Sequence, residues 1–426
     1  MTRYILLSAV WVAMGSLGQT NIFLTWEQCL EKTKFYNPDL IAARAAVKEL
    51  QYGVTSSSSS FLPQINASAG ANYGQDEVQD KWLENKSSSG TLSLNQDLYR
   101  GGSNVAKRNR ALVQLDIGYE QYRKTLADVE LRTRLAYIEV LYAQDLIKLT
   151  EQIEERRAAN VRLIQLRFDG GRENAGSLVR TKAQLSQAEY ESREAKRALV
   201  YARRNLAAAI GVSLPVEGAA GDLQAEAPEE LTNLESLMKM TPNYSIAATQ
   251  VEASKLGLKV TRSQHFPTIT FSADTSARSG TLFEDYTGSW GIGLRASVPL
   301  FTGNRIRSEV AAAKEQIIQD EMGLMDTGNT LLASLQQQWN SYVNAVESEA
   351  VQQELFEAEQ LRAEISTAKY KQGLLSYEDW DLIESNLISQ GKTHLQRRRS
   401  SSIEQARWKN LLGLSVWQTM EKGNER

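Results

Sequence analysis

The stretch Asn37-Pro38-Asp39-Leu40, followed by Phe61-Leu62-Pro63-Gln64, has a second copy in the other half of the chain. In that copy Thr241-Pro242-Asn243-Tyr244 precedes His265-Phe266-Pro267-Thr268, and equivalent prolines are separated by one constant interval. Later correspondences share a slightly shorter interval: Leu98-Tyr99-Arg100-Gly101 with Leu300-Phe301-Thr302-Gly303, Gly171 with Gly373, and Ile210-Gly211 with Leu412-Gly413. Because proline and glycine rarely recur in register by chance, the sequence predicts an internal tandem repeat.

The composition excludes several classes of function. The 426 residues carry a net charge of −3, from 48 basic and 51 acidic residues, which gives no electrostatic case for a nucleic-acid partner. One cysteine and two histidines leave little material for a disulfide framework or a histidine-rich metal site. The sequence has no zinc-ligand spacing, phosphate loop or nucleophile elbow, so we expect neither an enzyme nor a cofactor. The basic run Arg397-Arg398-Arg399 is interpreted as a solvated helix face, with phospholipid or nucleic-acid binding as the alternatives.

Residues 1–18 have the pattern of a secretory signal peptide. Arg3 supplies the positive charge, residues 4–14 the short apolar core, and residues 15–18 the small side chains of a cleavage region. The apolar core is shorter than the roughly 20 residues that a transmembrane helix needs. No later apolar run approaches that length, so the sequence predicts export without a helical membrane anchor.

Helical periodicity dominates the rest of the chain. Only seven prolines occur, and the long proline-free stretches are rich in helix-forming residues. An apolar 3-4 spacing, typical of a coiled coil, runs through Leu112, Leu115, Tyr119, Tyr122, Leu126, Val129, Thr133, Ala136, Val140, Ala143 and Ile147. We predict long helices at 103–168 and 304–370, returning helices at 174–210 and 376–412, and further helices at 25–56 and 231–263. At 1.5 Å per residue each long helix would extend about 100 Å, which suits a rod or a tube.

Four segments change to a two-residue period, at 64–74, 89–99, 267–278 and 288–299. In the last of them Trp290, Ile292, Leu294 and Val298 alternate with small or polar residues. Such strands match a transmembrane barrel with a wet interior, although a soluble sheet half-buried on helices has the same alternation. The signal peptide and the polar loops within each pair, 74–88 and 278–286, favour the barrel. Because four strands cannot close a barrel and open edges are not tolerated in lipid, several copies of the chain must build it.

The order of helix, strand pair and long helical hairpin, present twice, resembles the TolC-type outer membrane efflux proteins over essentially the whole mature chain. The motifs that carry the resemblance are Leu24-Thr25-Trp26-Glu27 with Asn37-Pro38-Asp39-Leu40, Phe61-Leu62-Pro63, His265-Phe266-Pro267, Gln96-Asp97-Leu98-Tyr99-Arg100-Gly101-Gly102, Val298-Pro299-Leu300-Phe301-Thr302-Gly303, Arg167-Phe168-Asp169-Gly170-Gly171, and Tyr370-Lys371-Gln372-Gly373. Two ordered sets of these motifs at a fixed offset are a specific signal.

The resemblance implies a mainly α-helical fold with a small β part. Family members are homotrimers, in which three chains build a twelve-stranded outer membrane barrel above a long α-helical periplasmic tunnel. They act as passive ducts, opened when a periplasmic adaptor protein and an inner-membrane pump dock. For this chain we expect a signal peptide at 1–18, repeats at 19–211 and 231–413, a non-repeated equatorial segment at 212–230 and a tail at 414–426.

The resemblance also assigns residues. A glycine can take a positive φ between two antiparallel helices, which makes Gly171 and Gly373 the candidate turns at the hairpin tips. Ser376 can cap the returning helix, with Asp379 in its first turn. The tips and the adaptor docking site are expected at Arg167, Phe168, Gly171, Tyr370, Gly373 and Ser376, the entrance constriction at Asp379 and Asp381, and contact with outer membrane lipid at Trp290, Ile292, Leu294 and Val298. Ser177 occupies the position of the first repeat that corresponds to Asp379, and Leu375 stands where some members have arginine, so whether an ionic latch closes the tip stays open.

Two other classes of function remain as alternatives. A periplasmic adaptor also carries long helical hairpins, but it joins them to a different β-domain and usually has one copy. A coiled-coil scaffold without a pore would leave the four amphipathic strands unexplained. The sequence leaves the cargo open among small toxic compounds, metal ions and a secreted polypeptide.

Overall fold

The computed structural model describes residues 23–78, 80–213, 216–231 and 233–415. The predicted signal peptide and most of the predicted C-terminal tail therefore lie outside the described residues. Helices make up about 70% of the structure, and one small antiparallel sheet provides the β part. Among the described residues, no helix combines the length and the apolar character needed to cross a bilayer.

The same series of elements occurs twice along the chain. The first comprises α1 (Trp26–Tyr36), α2 (Pro38–Ser58), β1 (Gln64–Val78), β2 (Lys81–Arg100), α3 (Ser103–Asp169) and α4 (Ala175–Ile210). The second comprises α5 (Leu234–Met240), α6 (Pro242–Arg262), β3 (Thr268–Ser279), β4 (Thr287–Ser297), α7 (Arg305–Lys371) and α8 (Tyr377–Leu411). The mainly helical class, the four strands and the tandem repeat are thereby confirmed.

The single helices predicted at 25–56 and 231–263 are each two helices. The breaks fall at Asn37 and Thr241, whose extended backbones (ψ 121° and 141°) are those that a following proline favours. The Asn37 side chain accepts hydrogen bonds from the backbone N–H of Asp39 and Leu40, so it caps α2. The prediction was wrong because a proline at the first helical position starts a new helix as well as ending the previous one.

The polar loop predicted at 74–88 is also wrong, because most of it is strand. β1 continues past the apolar alternation to Val78, and β2 already begins at Lys81. Cross-strand hydrogen bonds hold this extension: Tyr73 Oη donates to Glu84 and Asn85 Nδ2 to Asp76. Charged and amide side chains lie on both faces of the extension, and its large apolar residues Trp82 and Leu83 are adjacent, so the two-residue period that marks a half-buried strand is missing from the sequence there.

The four strands form one sheet in the order β1-β2-β3-β4, with every pair antiparallel. One face carries apolar rows across the sheet, such as Ile65, Leu94, Ala273 and Ile292. The other face carries polar and small side chains, such as Asn66, Ser93, Asp274 and Gly291. β1 and β4 each pair on one side only within the chain, so the sheet has two open edges.

The long helices lie side by side beneath the sheet. Near the strands α3 packs against α2 and α6, and α6 packs against α7; further away α3 packs against α4 and α8, and α8 against α7. The buried face of α3 changes accordingly. Val129, Val140 and Ala143 of the predicted coiled-coil spacing are buried, whereas Leu112 and Tyr119 are exposed. Near the sheet Val113 takes their place, packed against Ala253 and Leu256 of α6.

The segment between the repeats crosses the middle of the helices. Leu24 and the chain at 218–220 exchange backbone hydrogen bonds, and Tyr137 of α3 donates its hydroxyl to the Leu24 carbonyl at 3.2 Å. Arg398 and Arg399 of α8 also belong to this region. Arg398 Nε donates to the Leu223 carbonyl at 3.2 Å, and Arg399 Nη2 lies 2.7 Å from a carboxylate oxygen of Glu139 on α3. These two arginines therefore join parts of the chain, in contrast to the expected solvated face.

Candidate functional site at the hairpin tips

The two hairpin tips share one backbone geometry. After α3, Gly171 (φ +67°) donates its N–H to the Phe168 carbonyl, and Arg172 donates to the Arg167 carbonyl. After α7, Gly373 (φ +77°) donates to the Tyr370 carbonyl and the next residue donates back to position 369. This pair of bonds is the Schellman motif, which satisfies the last carbonyls of a helix and requires a left-handed residue. The structure therefore places both glycines at the tips, in the conformation that glycine favours.

Each returning helix begins with a side-chain cap. Asn174 Oδ1 accepts from the backbone N–H of Ser177 at 2.8 Å, and Ser376 Oγ accepts from that of Asp379 at 3.1 Å. The Ser376 hydroxyl in turn donates to Asp379 Oδ2 at 2.8 Å. The exposed Asp379 carboxylate thus lies in the first turn of α8, where the helix dipole favours a negative charge.

Tyr370 links the two hairpins. Its ring stacks on Trp380 of α8 with centroids 4.6 Å apart and planes 6° apart, and the Arg167 guanidinium of α3 lies 4.5 Å from its centroid. Arg167 Nη1 donates to the Tyr370 carbonyl at 2.8 Å, and the Tyr370 hydroxyl donates to Glu173 at 2.7 Å. Burial and the hydrogen bond to Glu173 both raise the pKa of Tyr370, so its phenol stays protonated as a donor.

A buried carboxylate on α8 forms an ion pair between the hairpins. Glu384 is 1% exposed and accepts two hydrogen bonds from Arg156 of α3, each at 2.7 Å. Asn160 and Thr367 donate to the same carboxylate at 3.2 and 3.1 Å. Burial alone would raise the pKa of Glu384, but the bonds from Arg156, Asn160 and Thr367 outweigh it and lower the pKa. The group is therefore charged and fully hydrogen-bonded.

Asp381 belongs to a second buried network on the same helix. It lies 3.0 Å from Arg180 Nε and 3.5 Å from Arg157 Nη1, and it accepts a hydrogen bond from Gln184 at 2.9 Å. Burial lowers the pKa of Arg157, and the nearby carboxylates Asp381 and Glu384 oppose that shift. Within the chain Asp381 thus faces arginines of the first hairpin, whereas Asp379 faces solvent.

The structure brings most of the expected tip residues together. Arg167 and Tyr370 touch each other, and Phe168 lies partly exposed beside the first turn. Sequence reasoning missed the residues that join the hairpins, which are Arg156, Arg157, Glu173, Trp380 and Glu384. One signal was present in the sequence. Glu384 lies four residues after Trp380 and three after Asp381, so two carboxylates share a helix face with a large apolar residue, which indicates buried charge.

The expected lipid-facing residues lie together on the open sheet. Trp290, Ile292 and Leu294 are 78, 67 and 69% exposed, and all three are on the apolar face of β4. Val298 follows the strand and is half-exposed. Side chains of this kind need an apolar environment that the single chain does not supply.

An exposed apolar sheet with open edges, placed on two long helical hairpins, defines a class of multi-chain channel proteins of the outer membrane. The family model described as outer membrane efflux protein matches residues 30–212 and 235–414, and the chain belongs to this family. Its place is accordingly the outer membrane, with the helical hairpins in the periplasm.

Three known proteins illustrate the similarity. The fusaric acid resistance protein FusA of Burkholderia cepacia is 25% identical over 65% of this chain, and the chain spans about 55% of its length. The outer membrane protein TolC of Escherichia coli K12 is 22% identical over 75% of this chain and 67% of its own. The crystal structure of the channel CusC superposes with a TM-score of 0.82 at 15% identity, covering 93% of this chain and 95% of that one. The similarity to CusC shows the fold of this chain.

We predict that Glu384→Gln destabilises the chain by about 1–3 kcal/mol at neutral pH, because it leaves the partly buried Arg156 without its carboxylate. Since the folded-state pKa of Glu384 is lowered, its contribution is present above the unfolded pKa, about 4.3, and disappears as the pH falls through the folded value. Denaturant unfolding of the detergent-solubilised protein at several pH values measures both effects. Glu155→Gln, at an exposed position in the interior of α3, is the control and should change stability by less than about 0.5 kcal/mol. If the difference in unfolding free energy between Glu384→Gln and the parent stayed the same at acidic pH, the assignment would be contradicted.

Proposed function

We propose that three copies of this chain form a passive duct through the outer membrane, which serves a periplasmic adaptor and an inner-membrane pump. The observation that carries the proposal is the open four-stranded sheet with its exposed apolar face. Edge strands cannot leave their N–H and C=O groups unpaired in hydrocarbon. Three copies, with β1 of each beside β4 of the next, give twelve paired strands and no edge, an even number within the range of such barrels.

The wall of this duct suits an aqueous path. The face opposite the apolar rows carries hydroxyl, amide, charged and glycine positions, such as Asn95, Ser272, Gly293 and Arg295. Facing inward in a closed barrel, these groups would line a wet lumen. The driving force would come from the pump. The described residues include no cluster of three side chains that could hold a metal ion.

The tips are the proposed contact for the adaptor. They lie at the end of the hairpins that is furthest from the sheet, and both present the same Schellman turn, so an adaptor with a repeated surface would meet the same backbone geometry six times around a trimer. Arg167, Phe168, Gly171, Tyr370, Gly373 and Ser376 are the proposed docking residues. Asp379 is the proposed constriction carboxylate, and Asp381 would join it only after leaving Arg157 and Arg180.

The segment boundaries belong to the same proposal. We assign residues 1–18 to the signal peptide, 19–211 and 231–413 to the two repeats, 212–230 to the equatorial segment and 414–426 to the tail. Support comes from the family match, which covers two separate stretches. The names of related proteins refer to fusaric acid resistance, pyoverdine export and protease secretion, so they support export as a role and leave the cargo of this chain open.

Membrane fractionation tests the duct against the two alternatives. The proposal expects the mature protein in the outer membrane fraction and as a trimer in mild detergent. A periplasmic adaptor would fractionate with the inner membrane or the periplasm, and a scaffold would be soluble. A soluble monomer would refute the duct.

The apolar face of β4 gives a site-specific prediction. Leu294→Arg should destabilise the inserted trimer by about 2–4 kcal/mol if Leu294 lies near the bilayer midplane, because the charge would enter hydrocarbon. Gly293→Arg, the neighbouring position on the other face, is the matched control and should chiefly change conductance. Heat-induced dissociation of the trimer and single-channel recording measure the two effects. Equal tolerance of both changes would mean that the alternation does not report lipid contact.

The tip turn gives a prediction about export. Gly373→Trp should impair transport and leave the trimer intact, because a side chain at positive φ costs about 1–2 kcal/mol locally and the bulk lies on the docking surface. Gly373→Asn is the control, since asparagine tolerates the left-handed region and should keep most activity. Transport is measured in cells where this chain is the only channel of its family, with a compound whose export depends on the parent chain. Normal transport by an inserted Gly373→Trp trimer would refute the docking assignment.

A further inference from the structure

α4 and α7 are the two outermost helices in the periplasmic part of each chain. α4 packs on α3, α3 on α8 and α8 on α7. Among the described residues, no large element therefore packs on the outer faces of α4 and α7 in this part. The two edges of the sheet continue into the two edges of the helical part, since α2 leads into β1 and α7 follows β4. In the proposed trimer, closing the sheet edges therefore brings α4 of one copy beside α7 of the next.

The outer face of α4 is apolar and basic in alternation. Its side chains recur at eleven-residue intervals, which keep to one face of a straight helix. One such series is Val179, Tyr190 and Tyr201, all exposed, and the other is Lys182, Arg193 and Arg204. Arg197 lies on the same face, and the nearest acids on α4 are Glu189, four residues before Arg193, and Glu194, three residues before Arg197. Such a face needs a partner that offers both apolar surface and carboxylates.

The outer face of α7 offers that combination. Its exposed apolar residues include Leu361 and Ile365, 60 and 48% exposed. The acidic residues on the same face are Glu347, Glu354 and Glu357. Within the described chain Glu347 and Glu354 form no ion pair, and neither do Arg193 and Arg197; Glu357 accepts only from Gln353 of its own helix.

The basic face of α4 and the acidic face of α7 lie at the same height along the hairpins, as their contacts with α8 show. Near the tips Thr181 of α4 bonds Tyr377 of α8, and Trp380 of α8 bonds Thr367 of α7. Higher up, Lys392 of α8 bonds Glu191 of α4, and Ser401 of α8 bonds Glu349 of α7. Because α4 and α7 run in opposite directions, these levels place three pairs opposite each other to within about one helical turn: Arg193 with Glu357, Arg197 with Glu354, and Arg204 with Glu347.

We propose that the periplasmic part of the interface between copies is an ion-pair seam, in which the basic face of α4 meets the acidic face of α7 of the next copy. Tyr190 and Leu361 lie at matching levels between the charged pairs and supply apolar contact. Nearer the membrane the same edge is apolar, with Ile318, Met322 and Met325 exposed on α7 and Ile41 and Tyr52 exposed on α2. The seam rests on the proposed trimer, and it makes the periplasmic part of that trimer the part most sensitive to salt.

Charge reversal tests the seam. Two double variants place like charges at each interface: Arg193→Glu/Arg197→Glu and Glu354→Arg/Glu357→Arg. Each should lower the ratio of trimer to monomer in mild detergent about tenfold. The four changes together should restore it, because the charges are exchanged. Arg162→Glu/Arg397→Glu, exposed positions on the inner helices α3 and α8, is the matched control and should have little effect. Native mass spectrometry at increasing salt measures the trimer fraction.

A disulfide tests the register. Arg197→Cys with Glu354→Cys should give covalent dimers and trimers under periplasmic oxidation, whereas Arg162→Cys with Glu354→Cys should give none; the native Cys29 is buried. If the parent is a trimer, but the charge reversals leave the trimer fraction unchanged and the cysteine pair forms no cross-link, the seam is overturned and the duct stands. A parent protein that is a soluble monomer overturns both.

Discussion

The backbone of the edge strands imposes the constraint on which the rest of the structure depends. β1 and β4 each present a row of N–H and C=O groups with no partner strand among the described residues, next to a face of exposed apolar side chains. Water can satisfy these groups and hydrocarbon cannot, so the same sheet that must enter the membrane cannot enter it alone. The tandem repeat follows from this need, because each repeat supplies one antiparallel strand pair and one long hairpin. Two repeats per chain then give a sheet wide enough for three copies to close.

The hairpins are joined within the chain by polar groups as well as by apolar packing. Glu384 is buried with four hydrogen bonds, two of them from Arg156, and Tyr370 is held between Trp380 and Arg167. A buried carboxylate fixes position more sharply than an apolar contact, because any displacement leaves a charge without its partners. These bonds connect α3 with α7 and α8, so they set the relative height of the two tips. An adaptor that bound both tips would therefore meet two turns held at one level.

The sequence was informative where local chemistry decides the structure. Gly171 and Gly373 were predictable because only a left-handed residue closes a Schellman turn, and the strands were predictable where Trp290, Ile292 and Leu294 alternate with small residues. The extension of β1 and β2 was not predictable, because charged and amide residues lie on both of its faces and interrupt the two-residue apolar period. The tip network was hidden for another reason. Arg156 and Glu384 belong to different repeats, and their contact depends on how α3 packs on α8, which neither local periodicity nor the repeat offset encodes.

Magnitudes decide which contacts around the tips are easiest to separate. Breaking a buried ion pair such as Arg156 with Glu384 costs about 3–5 kcal/mol where both partners are enclosed, and somewhat less here because Arg156 reaches solvent. An exposed pair between helices contributes about 0.2–1 kcal/mol and is screened by salt. The proposed contacts between α4 and α7 of neighbouring copies are of the exposed kind, whereas those between α3 and α8 are of the buried kind. The edge between neighbouring copies is apolar near the sheet and charged near the tips. Separating neighbouring copies near the tips therefore costs a docking partner less free energy than separating the two hairpins of one chain, so each pair of hairpins would move as one body.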